Sequence, residues 1–94
     1  MKHSLQNTVI LTNKLGLHTR AASAFVQVAS TFQSKIQLKK PNNSNWVNGK
    51  SILSIMTLEA ICGCQIIISV KGTDATRALK KLTKLVNDKF GEKE

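Results

Sequence analysis

The apolar residues of this chain switch repeatedly between a two-residue and a helical period, and that alternation limits the fold more than any other property of the sequence. Over 5–12 (LQNTVILT), Leu5, Val9 and Leu11 fall on one face and Thr8, Ile10 and Thr12 on the other, as in a strand. Asn13, Lys14 and Gly16 break that pattern. From Thr19 onward Ala22, Phe25, Val26, Ala29 and Phe32 recur at helical spacings, which predicts a helix over 19–32. In 34–40 Ile36 and Leu38 oppose Lys35, Gln37 and Lys39, a half-solvated strand followed by a turn at Pro41-Asn42-Asn43-Ser44. A short Trp46-Val47-Asn48 strand then pairs back as a hairpin, and Ser51 caps a short helix over 52–58. The run 64–71 (CQIIISVK) is the most strand-like in the chain. Gly72-Thr73-Asp74 supplies a turn and a helix cap, and Ala75, Ala78, Leu79, Leu82, Leu85 and Val86 mark an amphipathic helix that ends near Gly91.

The order β-α-β-β-α-β-α has one economical solution. Three amphipathic helices are all satisfied by covering one face of a four-stranded antiparallel sheet, leaving the other to water, so the expected fold is an α+β open-faced β-sandwich. With 94 residues, 41% of them hydrophobic, the chain has apolar material for one core, and a single domain over 1–94 is expected. At this size roughly two-thirds of the unfolded surface is buried on folding, so neither disulfide nor metal is needed as a scaffold. Cys62 and Cys64, the only cysteines, sit two residues apart in an apolar stretch, suit neither a disulfide nor a four-ligand zinc site, and read as reduced thiols. No cofactor or metal is expected.

Nothing resembles a signal peptide or an uninterrupted run of 18 apolar residues, so a cytoplasmic protein without membrane insertion is expected, and the glycosylation match at Asn42-Asn43-Ser44 is read as empty. Fourteen Lys and Arg against five Asp and Glu give a net charge of +9, which favours an acidic partner. A small basic nucleic-acid-binding module, using Arg77, Lys80, Lys81 and Lys84 on the last helix, is the alternative reading. With no Tyr, one Trp and three Phe there is little to stack on bases. A self-sufficient enzyme is disfavoured because there is no carboxylate pair, metal cluster or Gly-rich phosphate loop.

The chemistry concentrates in Asn13-Lys14-Leu15-Gly16-Leu17-His18-Thr19-Arg20, where the first strand gives way to the first helix. His18 stands at the helix start, where unpaired backbone N–H groups and the positive end of the macrodipole stabilise an anion. The amides of Thr19, Arg20 and Ala21 supply those donors, and the Arg20 guanidinium matches phosphate oxygens. Imidazole is nucleophilic at neutral pH, and its phosphoramidate transfers readily. His3, close to the terminus, is given no role.

The run NKLGLHTRAA, the later NGKSILSIM and the order of elements together make the chain similar, over nearly its whole length, to the bacterial phosphocarrier family HPr of the phosphoenolpyruvate-dependent phosphotransferase system, nitrogen-branch relatives included. The resemblance implies that His18 accepts a phosphoryl group on Nδ1 from enzyme I and passes it to enzyme IIA domains, for sugar uptake or regulation. It implies that Arg20 holds the phosphate, and that the protein is a monomeric carrier and not an independent catalyst. Ser51, in Asn48-Gly49-Lys50-Ser51, falls on the position that a serine kinase and phosphorylase act on in some lineages. Leu53 and Met56, with Ser23 and Lys50, fall on the surface that docks the partners. One departure is Ala21, where many members carry proline after the motif arginine.

Overall fold

The computed structural model describes residues 4–42 and 45–94; His3 and part of the Asn42-Asn43-Ser44 match lie outside them. Strands β1 (Ser4–Ile10), β2 (Lys35–Lys39), β3 (Val47–Asn48) and β4 (Gln65–Lys71) form one antiparallel sheet in the order β1-β4-β2-β3. Helices α1 (Thr19–Ala29), α2 (Ile52–Met56) and α3 (Ala75–Asn87) complete the expected architecture. β4 pairs with β1 from Ser4 opposite Lys71 to Ile10 opposite Gln65, and with β2 from Lys35 opposite Lys71 to Lys39 opposite Ile67.

The alternation in the strands decides which face is covered. Val9, Ile36, Leu38, Ile66, Ile68 and Val70 point inward and are buried against Ala22, Phe25, Ala29, Ala78, Leu82 and Val86 of α1 and α3. On the outer face the Lys39 ammonium lies 4.9 Å from the centre of the Trp46 ring. At about 25 cal/mol per Å² of apolar surface, this one shared layer is the dominant stabilising term.

The structure departs from the expected boundaries where chain ends must be tied down. β1 stops at Ile10, yet Leu11 still pairs outside the strand, donating to Cys64 O at 2.9 Å and accepting from Gly63 N at 2.8 Å. α1 ends at Ala29, three residues short of the expected 32, because Thr31 and Phe32 donate to Val28 and Ala29 carbonyls in tightened turns that drop Phe32 into the core. The Lys50 ammonium donates to the freed Phe32 carbonyl at 2.7 Å. α2 starts as expected: Ser51 Oγ accepts from Ser54 N at 3.2 Å.

Asp74 precedes α3 but its side chain does not cap it. Its carboxylate instead turns back to the segment before β2, accepting from Gln33 N at 2.9 Å, Ser34 N at 3.0 Å and the Ser34 hydroxyl. Gly72 makes this possible, since a Cβ there would lie 2.8 Å from Ser34 Cα. Nor does α3 run to Gly91. It ends at Asn87, and a 3₁₀ turn over Lys89–Gly91 follows, with positive φ at Lys89 (58°), Phe90 (55°) and Gly91 (81°). Left-handed backbone costs roughly 1–2 kcal/mol per non-glycine residue. Burial of the Phe90 ring offsets that strain, and the reversal sends residues 92–94 back toward the first helix.

The Ser34 hydroxyl and then the Gln33 amide hold the Asp74 carboxyl below its ordinary value near 3.8. Its contribution to stability is therefore present above that value and lost as pH falls through the lower folded-state value. Asp74→Ala is expected to lower the thermal midpoint at neutral pH. Thermal melts between pH 7 and pH 2 should show the variant losing less stability than wild type below about pH 3.8; parallel curves would place Asp74 outside the stabilising network.

Candidate functional site

Three segments build the site: the 13–18 connection, the first two turns of α1, and the returning tail. Gly16 sets the connection. Its φ is +63°, and a Cβ on it would lie 2.5 Å from the Ala60 carbonyl oxygen and 2.8 Å from Ile61 Cα. Leu17 N donates to that same Ala60 carbonyl at 2.9 Å, so the loop is clamped to the segment preceding β4. Asn13 is fully buried, and its amide donates to Gly16 O at 2.8 Å across the turn.

This geometry delivers His18 as the N-cap of α1 in extended backbone, φ −79° and ψ 177°, with its carbonyl accepting from Ala22 N at 2.9 Å. Its side chain does not cap the helix. The imidazole, 26% exposed, faces an open cleft of about 1010 Å³ between α1 and the tail, lined by Lys14, Leu15, Arg20, Ser23, Glu92 and Lys93 among others. The first turn of α1 carries no acidic residue, so the unpaired amides of Thr19, Arg20 and Ala21 meet no neutralising carboxylate from their own helix. Arg20 is exposed and makes no hydrogen bond or ion pair with another described residue. Ala21, which follows Arg20 in the first turn, is wholly buried.

Sequence reasoning missed Glu92. Its Oε2 lies 2.6 Å from His18 Nε2, and its Oε1 accepts from Asn13 Nδ2 at 3.0 Å. Backbone bonding fixes the segment as well, since Lys14 N donates to Glu94 O. Burial pushes the Glu92 carboxyl up, but hydrogen bonds from Asn13 and His18, with the electrostatic pull of His18 and Arg20, outweigh it and hold it below its ordinary value. A carboxylate 74 residues along the chain from its partner leaves no local pattern to read.

Ser51 is the working cap of α2, and Leu53 on that helix is 81% exposed while Met56 is half-buried. Leu15 (64%) and Ile61 (68%), not singled out from the sequence, are also exposed, on either side of the Gly16 contact. Ser23 lies half-buried on the cleft wall. Lys50 does not share that setting, because its ammonium is bound to the Phe32 carbonyl in the turns that follow α1. Arg77, Lys80, Lys81 and Lys84 are exposed on α3; Arg77 lies over the Phe32 ring at 5.8 Å and Lys84 pairs with Asp88 at 2.7 Å. Among the described residues no helix is long and apolar enough to cross a membrane.

Comparison with known proteins places these features in one family. Residues 5–88 match the family described as PTS HPr component phosphorylation site. The phosphocarrier protein HPr of Neisseria meningitidis is 43% identical over 90 residues, covering 96% of this chain and 99% of the relative. A crystal structure of HPr from Thermoanaerobacter tengcongensis superposes with a TM-score of 0.89 at 42% identity, covering 96% of this chain and 99% of that one. A structure of an HPr dimer from the same organism matches with a TM-score of 0.73 at 44% identity, covering 89% of this chain and 94% of that one.

The Gly16 contact is backbone against backbone, which no side-chain rotation relieves. Gly16→Ala is therefore expected to destabilise the protein by about 2 kcal/mol or more, the sum of left-handed strain and the displaced 60–61 segment. Urea unfolding measures it; a change under about 0.5 kcal/mol, the range of ordinary surface substitutions, would mean the clamp is loose.

Proposed function

The chain belongs to the HPr family of the phosphotransferase system, and relatives such as that of Neisseria meningitidis are named phosphocarrier proteins; on that premise we propose that His18 takes a phosphoryl group from phosphorylated enzyme I and gives it to enzyme IIA proteins. The observation that carries this reading is His18 itself, a helix N-cap residue whose ring does not cap the helix and is 26% exposed in an open cleft, with the exposed Arg20 guanidinium two residues on, hydrogen-bonded to none of the described residues. A ring nitrogen attacks the phosphorus as the bond to the donor breaks, and the negative oxygens meet the first-turn amides and Arg20. Arg20 strengthens its contacts as charge develops on the transferring group, so it acts on rate more than on fold.

A cleft this open does not exclude water, so the partners of such a carrier close the site. Leu53, Met56, Leu15 and Ile61 offer an apolar footing, and Lys14, Arg20 and Lys93 offer charge to an acidic partner surface. Ser23, which lines the cleft, falls inside such a contact, while Lys50 serves it from behind by holding the turns that follow α1. Phosphorylation of Ser51 by a kinase would place a dianion beside Leu53, a cost of desolvation and repulsion borne by the complex alone. This transfer occupies the cytoplasm, where phosphoenolpyruvate is the ultimate donor. The nucleic-acid alternative is less favoured because two of the α3 cations are already engaged, Arg77 by Phe32 and Lys84 by Asp88.

Enzyme I with phosphoenolpyruvate is expected to place one acid-labile, base-stable phosphoryl group on the wild-type protein and none on His18→Ala. Arg20→Ala should keep the wild-type melting temperature and slow transfer at least about tenfold, the loss expected when a charge-assisted contact made in the transition state is removed. Label surviving in His18→Ala would overturn the assignment. Unaltered kinetics in Arg20→Ala would reduce that residue to a surface charge.

For docking, titration of enzyme I should show weaker association for Ser51→Asp and for the double change Leu53→Ala, Met56→Ala. Ser51→Asp should melt like wild type, because aspartate is as good a helix cap as serine. Wild-type affinity in both variants would exclude α2 from the interface.

A further inference from the structure

The family match ends at residue 88, and the tail beyond it reaches the reactive group. The 3₁₀ turn at Lys89–Gly91 reverses the chain, Phe90 anchors it in the core, and Glu94 O holds it through Lys14 N. Between those anchors the Glu92 carboxylate, 15% exposed, spans two donors: Asn13 Nδ2 on one oxygen at 3.0 Å and His18 Nε2 on the other at 2.6 Å. Asn13 is itself fully buried and bonded to Gly16 O. The arrangement fixes the carboxylate and, through it, the ring.

An ionised carboxylate only accepts hydrogen bonds, so the ring nitrogen facing it must carry the proton, and in the neutral ring the other nitrogen then carries the lone pair. We propose that Glu92 is a positioning residue that holds His18 as its Nε2–H tautomer and thereby directs phosphoryl transfer to Nδ1. The inference rests on the reading of His18 as the phosphoryl acceptor. In the accepting step the Nδ1 lone pair forms the N–P bond while the bond from phosphorus to the donor breaks and its electron pair leaves with the donor. The ring then bears Nδ1–P and Nε2–H together, and its positive charge faces the Glu92 carboxylate. In the donating step phosphorus bonds to the acceptor, Nδ1 keeps the pair of the broken bond, and a neutral imidazole with Nε2–H is restored. No proton has to move in either direction, and the leaving group is never an imidazolate. Arg20, Lys14, Lys93 and Glu94 line the same cleft. None of them makes a hydrogen bond or ion pair to the His18 ring, which leaves Glu92 as its polar partner among the described residues.

The test separates tautomer, regiochemistry and rate. The ¹⁵N shifts of the His18 ring at neutral pH should report Nε2–H alone in wild type and a detectable Nδ1–H population in Glu92→Ala. Phosphorylation with phosphoramidate, which needs no partner protein, should give Nδ1-phosphohistidine alone in wild type and a mixture with the Nε2 isomer in Glu92→Ala. Glu92→Gln keeps the length and loses the charge, and should slow phosphorylation by enzyme I at least about tenfold, a modest bound beside the loss of about 10⁴ seen when the carboxylate partner of a catalytic-triad histidine becomes an amide. Ring shifts and product isomers unchanged in Glu92→Ala would overturn the proposal, as would wild-type rates in Glu92→Gln. If enzyme I fails to phosphorylate wild type while the first two arms behave as expected, the carrier reading fails and the positioning role of Glu92 stands.

Discussion

The pairing of β4 with both β1 and β2 is the constraint from which the rest of the molecule follows. An antiparallel partner on each side buries Ile66, Ile68 and Val70 beneath the helices, and it also decides where the loops meet. Because Ile10 stands opposite Gln65, the chain leaving β1 and the chain arriving at β4 come to the same end of the sheet. The pairing runs on through Leu11 with Gly63 and Cys64, and then Gly16 seats directly on Ala60 and Ile61. The position of His18 is thus inherited from a strand register, through a contact that has no room for a Cβ.

A short loop held this rigidly changes what its end residue contributes. Serine or aspartate at a helix start would spend its side chain on the first-turn amides. His18 does not, so the donors of α1 stay open while the ring faces outward. The opposite choice is made at α2, where Ser51 closes its own helix, and at α3, where Asp74 abandons the helix to join two turns that are 40 residues apart in sequence. Three N-termini in one small sheet-and-helix layer therefore have three different occupants, and of the two without a side-chain cap the one at His18 opens on the cleft.

The periodic elements were legible because each is encoded within its own few residues. The alternation of Ile36 and Leu38 and the spacing of Ala22, Phe25 and Ala29 state which face is buried without reference to any other segment. His18, Arg20 and Ser51 were legible for the same reason, as local motifs. What could not be read are contacts between segments far apart in sequence: Asp74 with Ser34, Lys50 with Phe32, and Glu92 with His18. The end of α3 belongs with them. Nothing in Asn-Asp-Lys-Phe-Gly opposes another helical turn strongly enough to predict left-handed backbone at Lys89 and Phe90; the ring of Phe90 finds its place in the core only once β1 and α1 are assembled.

The residues around the cleft divide according to whether the fold uses them. Leu15, Leu53 and Ile61 project into solvent and leave the core intact if replaced, so a partner surface is free to shape them. Gly16, Asn13 and Leu17 are buried, and each serves packing and placement at once. The tail sits between these classes. It lies outside the sheet and its helices, yet Phe90 ties it to the core and Glu92 ties it to the ring. A shift in that segment would move the carboxylate that bonds the His18 ring.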